Sequence, residues 1–192
     1  MSEKKGDGAM EFGVIFAGFG GQGILLAGKI LARAGMEQGL EVTWLPSYGP
    51  EMRGGTANCT VVLSRRMIGS PIVDAPQALV ALNLPSLDRF EPQVAPQGAI
   101  VFNSSLIRRG VERPDVVGVA VPANDIAQEL GNPRVLNMVA LGALLAACRV
   151  VPLEAAMEAM AHELGERGRQ GLVEINRRAL ELGFEEAQKQ LG

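Results

Sequence analysis

Two stretches of this chain hold residue types able to bind a charged ligand. The first is Gly18-Phe19-Gly20-Gly21-Gln22-Gly23, which follows an apolar run and opens a segment of helical spacing. Glycines there remove the side chains that would hold a ligand away from the backbone. The free N–H groups at the helix start then face the ligand, and the helix dipole favours an anion. The second is Ser47-Tyr48-Gly49-Pro50-Glu51-Met52-Arg53-Gly54-Gly55. It offers a phenol, a carboxylate and a guanidinium in a Gly/Pro frame. Arg53 can fork onto a phosphate or carboxylate, or pair internally with Glu51. Loops after the first two strands of an α/β sheet can share one edge, so the two stretches are expected to meet.

The glycine stretch fits G-x-G-x-x-G between a strand and a helix, the context a dinucleotide site requires. Such a site also wants an acid at the end of the second strand to hold a ribose hydroxyl. Here that strand ends Leu45-Pro46-Ser47-Tyr48, with Glu41 too early and Glu51 beyond it. Magnitudes also limit a solitary site. A helix terminus contributes roughly 0.3–1 kcal/mol, up to about 2 when partly buried, whereas micromolar binding needs about 8. Either a deeper pocket exists or other subunits complete the site. A tight turn that only lets the helix pack on the sheet is the plainer alternative.

Other reactive side chains are few. Cys59 and Cys148 are isolated and no CxxC exists, so the chain alone cannot build a zinc ribbon or a cysteine-ligated iron–sulfur cluster. His162 is the single histidine; it falls on a polar helix face near a C-terminus and reads as a surface residue. Asn137 is the one polar residue in an apolar helix and should cap it or satisfy a buried backbone group. Arg108, Arg109 and Arg113 read as a solvated turn.

The elements that must carry these residues follow from periodicity. Phe12–Ala17 is a buried strand, Gln22–Gln38 a helix with Ile24, Ala27, Leu31 and Ala34 on one stripe, and Val42–Leu45 a second strand. Thr56–Ser64 alternates, with Ala57, Cys59, Val61 and Leu63 on one side. The loop before it is too short for a parallel crossover, so it should run antiparallel to the preceding strand. Ala78–Leu82, Ala99–Asn103 and Val116–Val121 complete the strands. A helix from about Ala123 to Leu130, a buried helix over Val135–Cys148, and stripes at Leu153–Leu164 and Leu172–Leu182 follow. The expected fold class is α/β: a Rossmann-like, mixed but mostly parallel sheet flanked by helices, with a helical C-terminal third.

With 192 residues, 47% hydrophobic but only 4% aromatic, the chain suits a single domain whose core is Ala, Val, Leu and Ile. We expect a flexible N-terminal tail over 1–11, one α/β domain over 12–186 and a C-terminal tail over 187–192. A net charge of −3 argues against nucleic acid as partner. The longest apolar stretch is too short to span a membrane, and the polar start lacks a signal-peptide core. The expected location is cytoplasmic, without a membrane partner.

Taken in order, Phe16 to Ile24, Ala27-Gly28, Tyr48 to Gly55, Ile68-Gly69-Ser70-Pro71 and Asn137 to Gly142 resemble the gamma subunit of 2-oxoacid:ferredoxin oxidoreductases acting on pyruvate or 2-oxoglutarate. The resemblance runs from about Phe12 to Glu185. It implies one subunit of a heteromeric oxidoreductase that decarboxylates a 2-oxoacid on thiamine diphosphate, passes electrons through iron–sulfur clusters to ferredoxin, and yields an acyl-CoA. The implied partners are alpha, beta and delta-type subunits, and the isolated chain is expected to be inactive, with no catalytic residue and no metal of its own. It would bind neither thiamine diphosphate nor clusters alone. Gly6-Asp7-Gly8 mimics the start of a thiamine diphosphate motif but lies in the polar tail with no Asn-Asn pair later. The implied ligand or partner edge, for CoA or another anion, comprises Gly18, Gly20, Gly21, Gln22, Gly23, Tyr48, Glu51, Arg53, Gly54 and Gly55. The alternatives are a self-contained NAD(P)- or flavin-binding oxidoreductase and a purely structural packing subunit.

Overall fold

The computed structural model describes residues 11–47 and 56–192. Strand β1 (Phe12–Phe19) leads into helix α1 (Ile24–Glu37), then β2 (Glu41–Ser47) and β3 (Thr56–Ser64). After β4 (Ala78–Ala81) come α2 (Leu84–Phe90), β5 (Ala99–Asn103), β6 (Val117–Val121) and α3 (Ala123–Glu129). Helices α4 (Leu136–Cys148), α5 (Leu153–Glu166) and α6 (Val173–Leu191) close the chain.

The six strands form one sheet in the order β2-β3-β1-β4-β5-β6. β1, β4, β5 and β6 are mutually parallel. β3 runs against both its neighbours, as its short connection to β2 requires, and is the one reversed strand. The mixed, mostly parallel sheet and the helical C-terminal third agree with the sequence.

Period-two alternation sends successive side chains to opposite faces. Val14 and Phe16 of β1, Cys59, Val61 and Leu63 of β3, and Val80, Val101 and Val119 meet α1, α4 and α5 in the larger core. Ile15, Ala17, Leu79, Ala81, Ile100 and Phe102 face the other way, covered by Leu87, Phe90, Val94 and Ile107. Helix α4 is buried from Leu136 to Ala146, matching its unbroken apolar sequence. It packs backbone to backbone on α6. A Cβ on Gly142 would stand 2.0 Å from the Leu180 carbonyl oxygen, and one on Gly183 1.9 Å from that of Val139.

The structure departs from the sequence reading at three places. Periodicity assigns no element to residues 84–90, but Asn83 accepts a hydrogen bond from the Ser86 N–H at 2.8 Å and Pro85 fills the first turn, so α2 forms there. Residues 187–192 read as a tail, but α6 runs to Leu191. Ala187 is fully buried. The Gln190 amide accepts from the Ala120 N–H at 3.0 Å and donates to the Ala120 carbonyl at 2.6 Å, on the outer edge of β6. The arginine turn is also more than a solvated surface: Arg109 bridges Asp88 and the buried Glu91, each at 2.7 Å.

Candidate functional site

The strand β1 keeps Gly18 and Phe19, which pair with Ala57 and Thr56 of β3. The turn proper is therefore Gly20 to Gly23. Gly18 is a packing position: a Cβ there would lie 2.6 Å from both Gln22 Oε1 and Ile24 Cδ1. Gln22 folds back as a brace. Its Oε1 accepts from the Phe19 N–H at 2.7 Å, and its Nε2 points to the Leu82 carbonyl at 3.5 Å.

Gly23 stands at the N-cap of α1 in the left-handed region, φ 76°, and no side chain caps the helix. The first backbone bond of α1 runs from Ala27 N–H to the Gly23 carbonyl. The N–H groups before it have no partner within the helix and face the turn. Asn137, from α4, donates from Nδ2 to the same Gly23 carbonyl at 3.0 Å. This is the backbone-satisfying role its sequence context suggested.

Around this turn lies a cleft of about 470 Å³. Phe19, Gly20, Gly21 and Gly23 of the turn line it together with Leu25 and Leu26 of α1, Trp44 of β2 and Ala57 of β3. Two cations, Lys29 and Arg167, complete the wall. Gly18 and Gln22 stay behind the lining. β2 ends at Ser47, opposite Asn58, and β3 starts at Thr56, which pairs with the lining residue Phe19. Tyr48, Glu51, Arg53, Gly54 and Gly55 lie outside the described residues, but both anchors of their loop are at this rim.

Sequence reasoning missed Lys29 and Arg167, which a buried carboxylate ties together. Glu163, on α5, is 1% exposed. Its Oε1 accepts from Lys29 Nζ at 2.8 Å and from Arg167 Nε and Nη2 at 2.9 and 2.8 Å. Arg33 Nη1 stands 3.7 Å from Oε2 but spends itself on Glu166 at 2.8 Å and Glu37 at 3.1 Å. Burial raises the Glu163 carboxyl, and the hydrogen bonds from Lys29 and Arg167 outweigh it, holding it below its ordinary value. The signal available in the sequence was a carboxylate in the apolar stripe of α5, between Met160 and Leu164. His162, exposed as expected, points Nδ1 at Glu37 across the α1–α5 seam at 3.1 Å.

The sequence profile described as pyruvate ferredoxin/flavodoxin oxidoreductase matches residues 13–186. This chain belongs to that family. Within the family it is 41% identical over 181 residues to the ketoisovalerate oxidoreductase subunit VorA of Methanothermobacter thermautotrophicus, covering 94% of this chain. The chain spans only 37% of that relative's length. It is 34% identical to the 2-oxoglutarate synthase subunit KorC of Methanocaldococcus jannaschii, covering 90% of this chain and 92% of KorC. Among solved structures, the keto/oxoacid ferredoxin oxidoreductase gamma subunit of Geobacter sulfurreducens superposes with a TM-score of 0.81 at 32% identity, covering 93% of this chain and 99% of the other. A chain of the 2-oxoglutarate:ferredoxin oxidoreductase of Magnetococcus marinus, solved with 2-oxoglutarate, coenzyme A and succinyl-CoA, matches with a TM-score of 0.82 at 25% identity. There the match covers 93% of this chain and 31% of the other.

The family's redox chemistry sets a fit test. Two cysteines in the whole sequence fall short of the four thiolates of a cluster. Among the described residues no group of three His, Cys, Asp or Glu is placed to hold a metal. The two thiols of this chain do not fit a cysteine-ligated cluster. Nor does any helix among the described residues have the length and apolarity to cross a membrane.

Proposed function

We propose that this chain is the gamma subunit of a multi-subunit 2-oxoacid:ferredoxin oxidoreductase, working in the cytoplasm with alpha, beta and delta-type subunits. The complex converts a 2-oxoacid to an acyl-CoA and delivers electrons to ferredoxin. Thiamine diphosphate and the iron–sulfur clusters belong to the partner subunits. They supply the carbon–carbon cleavage and the electron path; this chain supplies structure and one wall of the site.

The observation that carries this reading is the cleft at the carboxyl rim of β1. It brings together the uncapped start of α1, two cations and the anchors of the Tyr48–Gly55 loop. That chemistry suits the phosphate groups of coenzyme A, a ligand bound in the Magnetococcus enzyme. In this reading Gly20, Gly21 and Gly23 approach the ligand with backbone. Gly18 and Gln22 hold the turn in shape, and Tyr48, Glu51, Arg53, Gly54 and Gly55 belong to the same ligand or partner edge. A dinucleotide site gains no support, because Glu41 sits at the far end of β2, paired with Ser64.

The test is reconstitution with the partner subunits. Arg53→Ala is expected to raise the KM for CoA or weaken assembly while the isolated chain folds normally. Unchanged assembly together with unchanged CoA kinetics would refute the assignment of Arg53. Failure of the chain to join any thiamine-binding partner would refute the subunit reading itself.

A further inference from the structure

We infer that Glu163 is a positioning residue, which fixes Lys29 and Arg167 as a two-cation clamp for the phosphate oxyanions of a ligand lodged at the glycine turn. The inference rests on the reading that this rim receives a phosphate-bearing molecule. It adds which side chains grip the phosphates and what holds those side chains in place.

Donor counts leave room for a ligand on the two cations that line the cleft. Lys29 and Arg167 share the single oxygen Oε1 of Glu163. Arg33, the third cation nearby, is matched by Glu37 and Glu166. The three cations and the carboxylates of Glu37, Glu163 and Glu166 balance in charge, and what Lys29 and Arg167 keep is spare donors. An ammonium has three donors and a guanidinium five. Lys29 spends one on Glu163 and Arg167 spends two. Both are part-exposed, 42% and 43%, and both line the cleft. Their remaining donors have the geometry for charge-assisted bonds to phosphate oxygens, with the fork of Arg167 suited to two at once.

Glu163 itself is shut away from solvent. A buried carboxylate is costly unless its partners stay in place. Its position therefore fixes Lys29, from α1, relative to Arg167, just past the end of α5. These are long side chains that would otherwise sample many rotamers, and pre-ordering them removes that cost from binding.

The test titrates the full chain with inorganic diphosphate at millimolar concentration, with coenzyme A added as competitor. Saturable diphosphate binding is expected, weakened about tenfold by Lys29→Ala and by Arg167→Ala. Glu163→Gln removes a negative charge, so Coulomb's law alone predicts tighter anion binding. Positioning predicts the opposite, a several-fold loss. Glu163→Asp keeps the charge but withdraws the carboxylate by one methylene, and should also bind more weakly than wild type. If Glu163→Gln does not fold, Glu163→Asp and the two exposed cation variants still decide the matter. Absence of saturable binding, cation variants within twofold of wild type, or full affinity in a folded Glu163 variant would overturn the clamp. Diphosphate gripped by the clamp but not displaced by coenzyme A supports the clamp and removes coenzyme A as its occupant. Coenzyme A binding that ignores Lys29 and Arg167 overturns the clamp and leaves the proposed function standing.

Discussion

Asn137 reaches from the first turn of the buried helix α4 to the Gly23 carbonyl, 3.0 Å from its Nδ2, and so ties the core to the lip of the cleft. The two residues are fitted to each other. A Cβ on Gly23 would sit 2.5 Å from that same Nδ2, and Gly23 holds a φ of 76° that side chains disfavour.

Asn137→Ala should therefore cost about 1 kcal/mol, the low end for a buried hydrogen bond, because the Gly23 carbonyl keeps its bond from Ala27. Gly23→Ala should cost more, through both strain and collision. Combined, the two should cost less than their sum, since removing the amide relieves the collision. Urea unfolding of the three variants measures this; strict additivity would contradict the contact.

Gly183→Ala should be the most damaging small substitution in the helical third. Its Cβ would meet the Val139 carbonyl oxygen at 1.9 Å, and backbone cannot swing aside as a side chain can. Forcing α4 and α6 apart should cost ~1–3 kcal/mol, or a fall of several degrees in melting temperature. An unchanged thermal melt would mean the helices are not in backbone contact.

Acid should loosen the α1–α5 seam. Burial alone would raise the carboxyls of Glu163 and Glu37. Hydrogen bonds from Lys29 and Arg167 to the first, and from His162 and Arg33 to the second, hold both below the ordinary 4.5. The folded state thus releases these protons more readily than the unfolded one. The stability they contribute is complete above the ordinary value and is lost as pH falls through their lowered values. Stability curves for wild type and Glu163→Gln should converge under acid. Parallel curves would show that Glu163 has no such role.

Burial pushes both thiols, Cys59 and Cys148, up to about 12. At about pH 8, near the ordinary thiol value of about 8.5, each should be alkylated roughly a thousandfold more slowly in the native chain than in denaturant. Intact-mass spectrometry after iodoacetamide reads this directly. Rapid native labelling of either thiol would contradict its burial.

The sheet was legible because its strands obey strong local patterns. Thr56–Ser64 alternates cleanly, and its short link to β2 dictates its direction. The apolar run that became α4 had no other place than the core. Helix α2 was hidden because its seven residues are too few for a periodic signal and begin with a proline that also marks turns. The glycine turn was found by its motif, but its division of labour was not. Whether a glycine meets ligand or neighbour depends on contacts such as Gly18 with Leu82, which local sequence does not encode. The cations were missed for the same reason. Lys29 reads as a solvent-facing residue of α1 until α5 brings Glu163 beside it.

Gln190 caps one edge of the sheet at a single residue. Its amide imitates one residue of a seventh strand, accepting from and donating to Ala120 where a neighbouring chain would bind. The rim at β6 is thereby stoppered, while β2 forms the opposite rim of the sheet. The carboxamide of one side chain on α6 thus takes up a backbone N–H and C=O that an edge strand would otherwise leave to solvent or to another chain.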